Sequence, residues 1–119
     1  MHNYKELKVW NKAVELSTVV YSLCAEFPKE ERYGLKSQMQ RSAVSIASNI
    51  AEGAGRNSDK EFRQFLAYAY GSCYELETQV IISRNVGLIE NEISKSIQNQ
   101  IIEITKMLYV LSKSLVSEV

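Results

Sequence analysis

Apolar residues recur at alternating spacings of three and four along four long segments of the chain. The last segment shows the pattern most clearly, in Ile97, Ile101, Ile104, Leu108, Leu111 and Leu115. This spacing places the side chains along one face of an α-helix, whereas a half-buried strand would show a period of two. The pattern therefore predicts amphipathic helices, each of which buries one face.

Proline and glycine mark the ends of these segments. Pro28 ends the first helix, because proline lacks an amide hydrogen and forces the preceding residue out of helical geometry. Gly53 and Gly55 are expected to end the second helix by adopting the left-handed conformation. Gly87 followed by Leu88 is typical of a Schellman ending for the third helix.

Capping residues indicate where two of the helices begin. Asn3, followed by Glu6 three residues later, predicts a capping box that starts the first helix. Ser58 and Glu61 predict a second box at the start of the third helix. We expect the second helix to span residues 34–52 and the fourth to begin at about Asn91.

These elements predict an all-α fold, an antiparallel up-down-up-down four-helix bundle that forms a single domain over residues 1–119. One proline and five glycines in 119 residues are few for a fold with many turns. Several apolar residues lie off the predicted core stripes, and we expect contact with another copy to bury them. They are Ile81, Ile82, Ile102, Tyr109, Val110 and Val116.

The sequence offers little for catalysis. The only histidine is His2, so the chain lacks the paired Glu-x-x-His motifs of a di-iron bundle and a histidine base for a nucleophile. We expect no enzymatic activity, no metal and no cofactor. Cys24 and Cys73 have no CxxC spacing and are expected to be free thiols in a cytoplasmic protein. No signal peptide or membrane-spanning segment is predicted.

Basic residues are the remaining candidates for a functional site. Lysine and arginine balance aspartate and glutamate at 14 each, so a nucleic-acid partner would need a local patch. The predicted nucleic-acid-binding residues are Lys36, Arg41, Arg56, Lys60 and Arg63. The alternative is an ordinary solvated surface, and a symmetric oligomer would repeat even a weak patch in every subunit. Tyr68, Tyr70 and Tyr74 are interpreted as packing residues rather than base-stacking ones.

One family resemblance adds to this interpretation. The central motif is Ser45-Ile46-Ala47-Ser48-Asn49-Ile50-Ala51-Glu52-Gly53. Further segments are Leu7-Lys8-Val9-Trp10-Asn11-Lys12-Ala13, Phe27-Pro28, Tyr33-Gly34-Leu35, Gln38-Met39-Gln40-Arg41-Ser42-Ala43 and Gly71-Ser72-Cys73-Tyr74-Glu75-Leu76-Glu77-Thr78-Gln79. In this order and spacing they resemble the 23S rRNA intervening-sequence proteins, a bacterial family of small four-helix bundles. The chain departs from the family pattern at Ala47, where proline is usual, and at Gln40, where a basic residue is usual.

The resemblance implies a homo-oligomer, typically a pentamer, with no enzymatic activity. Related accessory variability determinants bind nucleic acid and work with a reverse transcriptase, so the implied partners are further copies of the chain, RNA and a reverse transcriptase. The resemblance also draws attention to Asn49, Glu52, Ser72 and Glu75, although a polar network between the second and third helices would explain them equally well. A protein-interaction scaffold without a nucleic-acid role is the alternative function.

Overall fold

A computed structural model describes residues 2–31 and 34–116 and shows four helices. They are α1 (Lys8–Cys24), α2 (Leu35–Ala54), α3 (Asp59–Asn85) and α4 (Asn91–Ser114), with short 3-10 turns at Tyr4–Glu6 and Lys29–Glu31. The described residues contain no strand. The predicted all-α four-helix bundle is therefore confirmed, and Tyr33 lies outside the described residues.

Contacts between neighbouring helices pair earlier residues of one helix with later residues of the next, as the predicted antiparallel order requires. Met39 and Ser45 of α2 contact Ser83 and Ser72 of α3, and Arg63 and Tyr70 of α3 contact Leu115 and Thr105 at and before the end of α4. Ser17 Oγ of α1 donates to the Ala43 carbonyl of α2 at 3.0 Å, and Ser45 Oγ of α2 lies 2.8 Å from Ser72 Oγ of α3. Tyr70 of α3 donates through its hydroxyl to the Thr105 carbonyl of α4 at 2.9 Å. Because α4 also packs on α1, the four helices form a closed bundle with a square cross-section. The bundle is about 52 Å long.

The core consists of the inner stripe of every helix. Each stripe repeats at spacings of three and four, so its side chains fill the space between the helices and exclude water. The largest fully buried side chains are Leu16 and Val20 of α1, Met39, Ile46 and Ile50 of α2, Phe62, Leu66 and Leu76 of α3, and Ile97, Ile101, Ile104 and Leu108 of α4.

The beginning of α1 differs from the prediction. Asn3 caps only the short 3-10 turn, through a 3.2 Å bond from the Lys5 amide, and α1 begins at Lys8. Leu7 is extended and separates the two elements. The side chain of Asn11 donates to the carbonyls of Lys5 and Leu7, and these bonds hold the turn against the helix. The predicted capping box does not start the helix, because these bonds from Asn11 to carbonyls four and six residues earlier favour a break at Leu7.

The end of α2 also differs from the prediction. Gly53 lies inside the helix, and Gly55 is the C-cap with a φ of −85°, so neither glycine is left-handed. Gly53 is instead a close-approach site. A Cβ there would lie 2.6 Å from Phe65 Cβ and 2.9 Å from Phe62 Cδ1. The glycine lets α3 pack directly on the α2 backbone.

Two predicted helix ends are confirmed. Ser58 Oγ accepts the Glu61 amide at 3.1 Å, and α3 begins at the next residue. At the other end of α3, Gly87 has a φ of +83°, and the Leu88 amide donates to the Ser83 carbonyl at 2.8 Å. That bond is characteristic of the Schellman ending.

Several apolar side chains remain outside the core, as the sequence predicted. Ile82, Ile102, Tyr109, Val110 and Val116 are exposed, and Val110 reaches 67% exposure. The four described helices do not cover these side chains.

Candidate nucleic-acid interface

The five predicted nucleic-acid-binding residues lie in two separate regions. Arg41 precedes the end of α2 by thirteen residues, which is about 20 Å along the helix axis. Lys36 and Arg41 also point about 140° apart around α2. Arg56, by contrast, lies in the α2–α3 connection, next to Lys60 and Arg63 in the first turns of α3. The structure therefore brings Arg56, Lys60 and Arg63 together and places Lys36 and Arg41 elsewhere.

Two of these arginines have partners within the chain. Arg56 pairs with Glu52 at 3.1 Å, and its guanidinium lies 4.5 Å from the ring centroid of Phe65. Arg63 Nη1 donates to the Leu115 carbonyl at 2.7 Å and so binds the start of α3 to the end of α4. Both side chains support the fold, while Lys60 is exposed at the surface beside them.

Three distant segments of the chain meet at this end of the bundle. The His2 amide donates to the Ala54 carbonyl at 2.8 Å, which places the beginning of the chain against the end of α2. The Arg63–Leu115 bond brings in the end of α4. We call this region, residues 2–12, 52–63 and 103–116, the basic end.

The basic end has more positive than negative side chains. It contains eight basic residues, Lys5, Lys8, Lys12, Arg56, Lys60, Arg63, Lys106 and Lys113. Its five acidic residues are Glu6, Glu52, Asp59, Glu61 and Glu103. The opposite end, built from residues 24–41 and 75–95, has six basic and seven acidic residues. The excess of positive charge is therefore confined to one end.

Several lysines at the basic end lack an ionic partner. Lys12 pairs with Glu103 at 2.9 Å, and this contact raises the Lys12 pKa above its ordinary value. Lys5, Lys8, Lys60 and Lys106 have no carboxylate within 4.0 Å among residues 2–31 and 34–116. A free ammonium group on the surface can contact a phosphate without first breaking an ion pair.

Five basic residues of the basic end are not among the predicted site residues, namely Lys5, Lys8, Lys12, Lys106 and Lys113. These residues are far from Arg56 in sequence and join it only through the fold. The predicted up-down-up-down topology could have indicated these lysines. Helices that alternate in direction place the start of α1 and the end of α4 beside the α2–α3 connection. Lys8 and Lys106 also flank an open apolar groove of about 430 Å³ that includes Leu7, Met107 and Leu111.

The polar residues singled out by resemblance divide into two groups. Asn49 donates to the Ser45 carbonyl at 2.8 Å and to Ser45 Oγ at 3.0 Å, and Ser45 in turn contacts Ser72. Asn49 and Ser72 therefore belong to a network between α2 and α3. Glu52 pairs with Arg56 instead, and Glu75 is exposed outside the network.

Both thiols and one of the three tyrosines, Tyr70, have structural surroundings. Tyr70 donates to the Thr105 carbonyl, and burial raises its pKa, whereas Tyr68 and Tyr74 are exposed. Cys24 and Cys73 are free and buried, and burial raises their pKa values to about 11 and about 12.

Within the described ranges, no cluster of histidine, cysteine and carboxylate residues could hold a metal ion. None of the described helices is long and apolar enough to span a bilayer.

Comparison with known proteins identifies the family. The model of the 23S rRNA-intervening sequence protein matches residues 5–110. A solved structure from Bacteroides thetaiotaomicron VPI-5482, described as a protein with unknown function from the S23 ribosomal protein family, is 26% identical and has a TM-score of 0.79. The match covers 88% of this chain and 98% of that one. No curated protein matches the chain significantly. The chain belongs to the 23S rRNA-intervening sequence protein family.

Proposed function

We propose that the protein is a non-enzymatic homo-oligomer, pentameric as in the family it resembles, that binds RNA through its basic end. The observation that carries the proposal is the convergence of three distant segments into a surface with eight basic and five acidic residues. Phosphate contacts need cations on one surface, and they release the counterions that surround nucleic acid. This surface has that character, while the whole chain is neutral.

Oligomerisation makes the modest positive charge of one basic end sufficient for RNA binding. In a ring whose subunits point in the same direction, every copy contributes its basic end to the same rim. The rim then has several times the positive charge excess of one chain, and its field attracts a phosphate backbone. The proposed location is the cytoplasm, where RNA is present and where buried thiols such as Cys24 and Cys73 remain reduced.

Two charge-reversed variants test the RNA proposal. Lys8→Glu/Lys60→Glu changes the basic end, and Lys29→Glu/Lys95→Glu makes the same change in charge at exposed lysines of the opposite end. Binding of a labelled structured RNA is measured by fluorescence anisotropy at about 50 and 200 mM salt. We expect wild-type affinity to fall steeply with salt, and the basic-end variant to bind at least about tenfold more weakly than the control.

Circular dichroism and light scattering must first show that both variants fold and assemble like the wild type. Equal losses in the two variants would contradict the role of the basic end. Absence of RNA binding by the wild type would contradict the proposed function and favour the alternative, a protein-interaction scaffold.

A further inference from the structure

The surface between α1 and α2 contains an open groove of about 350 Å³ without a charged residue in its lining. It is lined by Val14, Ser17, Thr18, Tyr21, Val44, Ala47 and Ser48. Tyr21 is 49% exposed and Val44 is 40% exposed, although both are large apolar side chains. An exposed apolar groove free of charge is suited to burial against another uncharged surface.

The outer face of α3 supplies such a surface. Gln64, Ala67, Gly71, Tyr74 and Thr78 follow one another at spacings of three and four, and all five are exposed. We call them the outer ridge of α3. The same spacing defines the contact line of a helix that packs along a neighbour. The ridge therefore has the spacing of a packing face and lies opposite the face of α3 that enters the core.

Gly71 lies at the centre of this ridge, where residues 2–31 and 34–116 give no packing reason for a glycine. A Cβ at this position would meet nothing within 4 Å, and its φ is not positive. Glycine in a helix interior is about 1 kcal/mol less favourable than alanine. The close approach of another molecule would explain its presence, as the close approach of α3 explains Gly53.

The groove and the ridge lie at the same height along the bundle. Ser17 in the groove bonds to the Ala43 carbonyl, which fixes the height of the groove on α2. Ser72, next to Gly71, contacts Ser45, two residues from Ala43. The centres of the two surfaces thus differ in height by less than about one helical turn. Two copies can bring them together by rotation, with no shift along the bundle.

We infer that the outer ridge of α3 in one copy docks into the α1–α2 groove of a second copy. The contact is heterologous, since two different surfaces meet. Repeated contacts without an axial shift keep all copies at one height, as a closed ring requires. The inference rests on the proposed function, for which it supplies the subunit contact. It also places the basic ends of all copies on one rim.

Charge complementarity at the border of the contact also favours the outer ridge of α3 as the surface that fills the α1–α2 groove. Arg41 lies one turn before Val44 on α2, and Glu75 borders Gly71 on α3. Neither has an opposite charge within 4.0 Å in the described chain. The Ser45–Ser72 contact marks one height on α2 and α3. Arg41 lies four residues before that contact on α2, and Glu75 lies three residues after it on α3. Because α2 and α3 run in opposite directions, both charges lie about one turn to the same side of the contact. The docked copies bring Arg41 of one toward Glu75 of the other.

The exposed face of α4 is a poorer occupant of the groove. Ile102 and Tyr109 are exposed there, but Glu103 and Lys106 lie between them. Burying those charges in an uncharged groove would require their desolvation without a partner. The outer ridge of α3 has no such charge between Gln64 and Tyr74.

Light scattering on three variants tests the contact. Gly71→Glu changes the ridge and Val44→Glu the groove, and Asn99→Glu places the same charge on the exposed surface of α4. We expect Gly71→Glu and Val44→Glu to fall to the mass of one chain, 13.5 kDa, with unchanged helical circular dichroism. Asn99→Glu should keep the wild-type mass.

The possible outcomes separate the two proposals. A wild-type oligomer whose mass is unchanged by Gly71→Glu and Val44→Glu would overturn this interface and leave the proposed oligomer in place. A monomeric wild type would overturn both. Equal dissociation of all three variants would also overturn the interface, because the effect would not be specific to the ridge and the groove.

Mixing two variants tests the charge pair directly. Arg41→Glu and Glu75→Arg should each assemble less than the wild type, and a mixture should assemble more than either alone, because each variant then supplies the charge that the other lacks. A pair confined to one chain would be restored only when both changes are made in the same molecule. Absence of a gain on mixing would overturn the contact between Arg41 and Glu75.

Discussion

Three glycines of this chain occupy helices or helix ends for three different physical reasons. Gly87 adopts the left-handed conformation that ends α3, and Gly53 gives α3 access to the backbone of α2. Gly71 has neither role, since it is exposed in mid-helix with open space around it. A glycine in a sequence therefore predicts a special position, but only the surroundings show which constraint applies.

Gly53→Ala should destabilise the protein. The new methyl group would lie 2.6 Å from Phe65 Cβ, and relieving that overlap requires α2 and α3 to separate. We expect a loss of about 1–3 kcal/mol in the free energy of unfolding, measured by urea denaturation. Gly55→Ala is the matched control, because its Cβ would come no closer than 3.6 Å to a neighbour. Equal stability of the two variants would contradict the close packing at Gly53.

The buried thiols predict a loss of stability in alkali. Burial raises the pKa of Cys24 from 9.0 to about 11 and that of Cys73 from 9.0 to about 12. Below pH 9 both thiols keep their protons in the folded and unfolded chain. Above pH 9 the unfolded chain loses these protons first, so the free energy of unfolding should fall as pH rises towards 11.

Urea denaturation at pH 7, 9 and 10.5 measures this effect against a Cys24→Ala/Cys73→Ala variant. The variant should lose less stability than the wild type over the same pH range, even if it is less stable at pH 7. Parallel pH profiles would show that the thiols do not contribute.

At the scale of helices, the sequence predicted best those helix ends that depend on hydrogen bonds within the capping sequence itself. The cap at Ser58 and the ending at Gly87 depend on local bonds, and both were predicted correctly. The prediction for the start of α1 was wrong although the bonds that decide it are local, since Asn11 donates to carbonyls four and six residues earlier. The predicted left-handed glycines at the end of α2 were wrong, because contact with α3 and not the helix ending determines Gly53. Asn11 holds the break at Leu7, and packing against Phe62 and Phe65 explains Gly53.

Ser58→Ala should weaken the start of α3. The substitution removes the acceptor for the Glu61 amide, and a lost N-cap costs about 1 kcal/mol. Thermal or urea unfolding should show this loss. Ser96→Ala, an exposed change within α4, should be neutral or slightly stabilising because alanine favours the helix interior. A neutral Ser58→Ala would contradict the assigned cap.

At the scale of the whole molecule, the candidate site was only partly predictable. Arg56, Lys60 and Arg63 were grouped correctly because they are close in sequence across one connection. Lys36 and Arg41 were predicted on the second helix, and the sequence left open whether all five residues form one surface. The length of α2 places Arg41 about 20 Å from the end of that helix. Lys8 and Lys106 join the basic end only through the order of the helices. The proposed contact between copies depends on the heights of the groove and the outer ridge of α3 along the bundle, which only the structure gives.

The most direct test of the central claim compares RNA binding by assembled and dissociated protein. Affinity for a labelled structured RNA is measured from about 50 to 200 mM salt, for the wild type and for Val44→Glu, whose change lies far from the basic end. We predict tight binding with a steep salt dependence for the wild type, and weaker binding with a shallower dependence for the variant once light scattering shows it to be monomeric. Equal affinities and equal slopes would contradict the claim that RNA is bound by basic ends gathered on one rim.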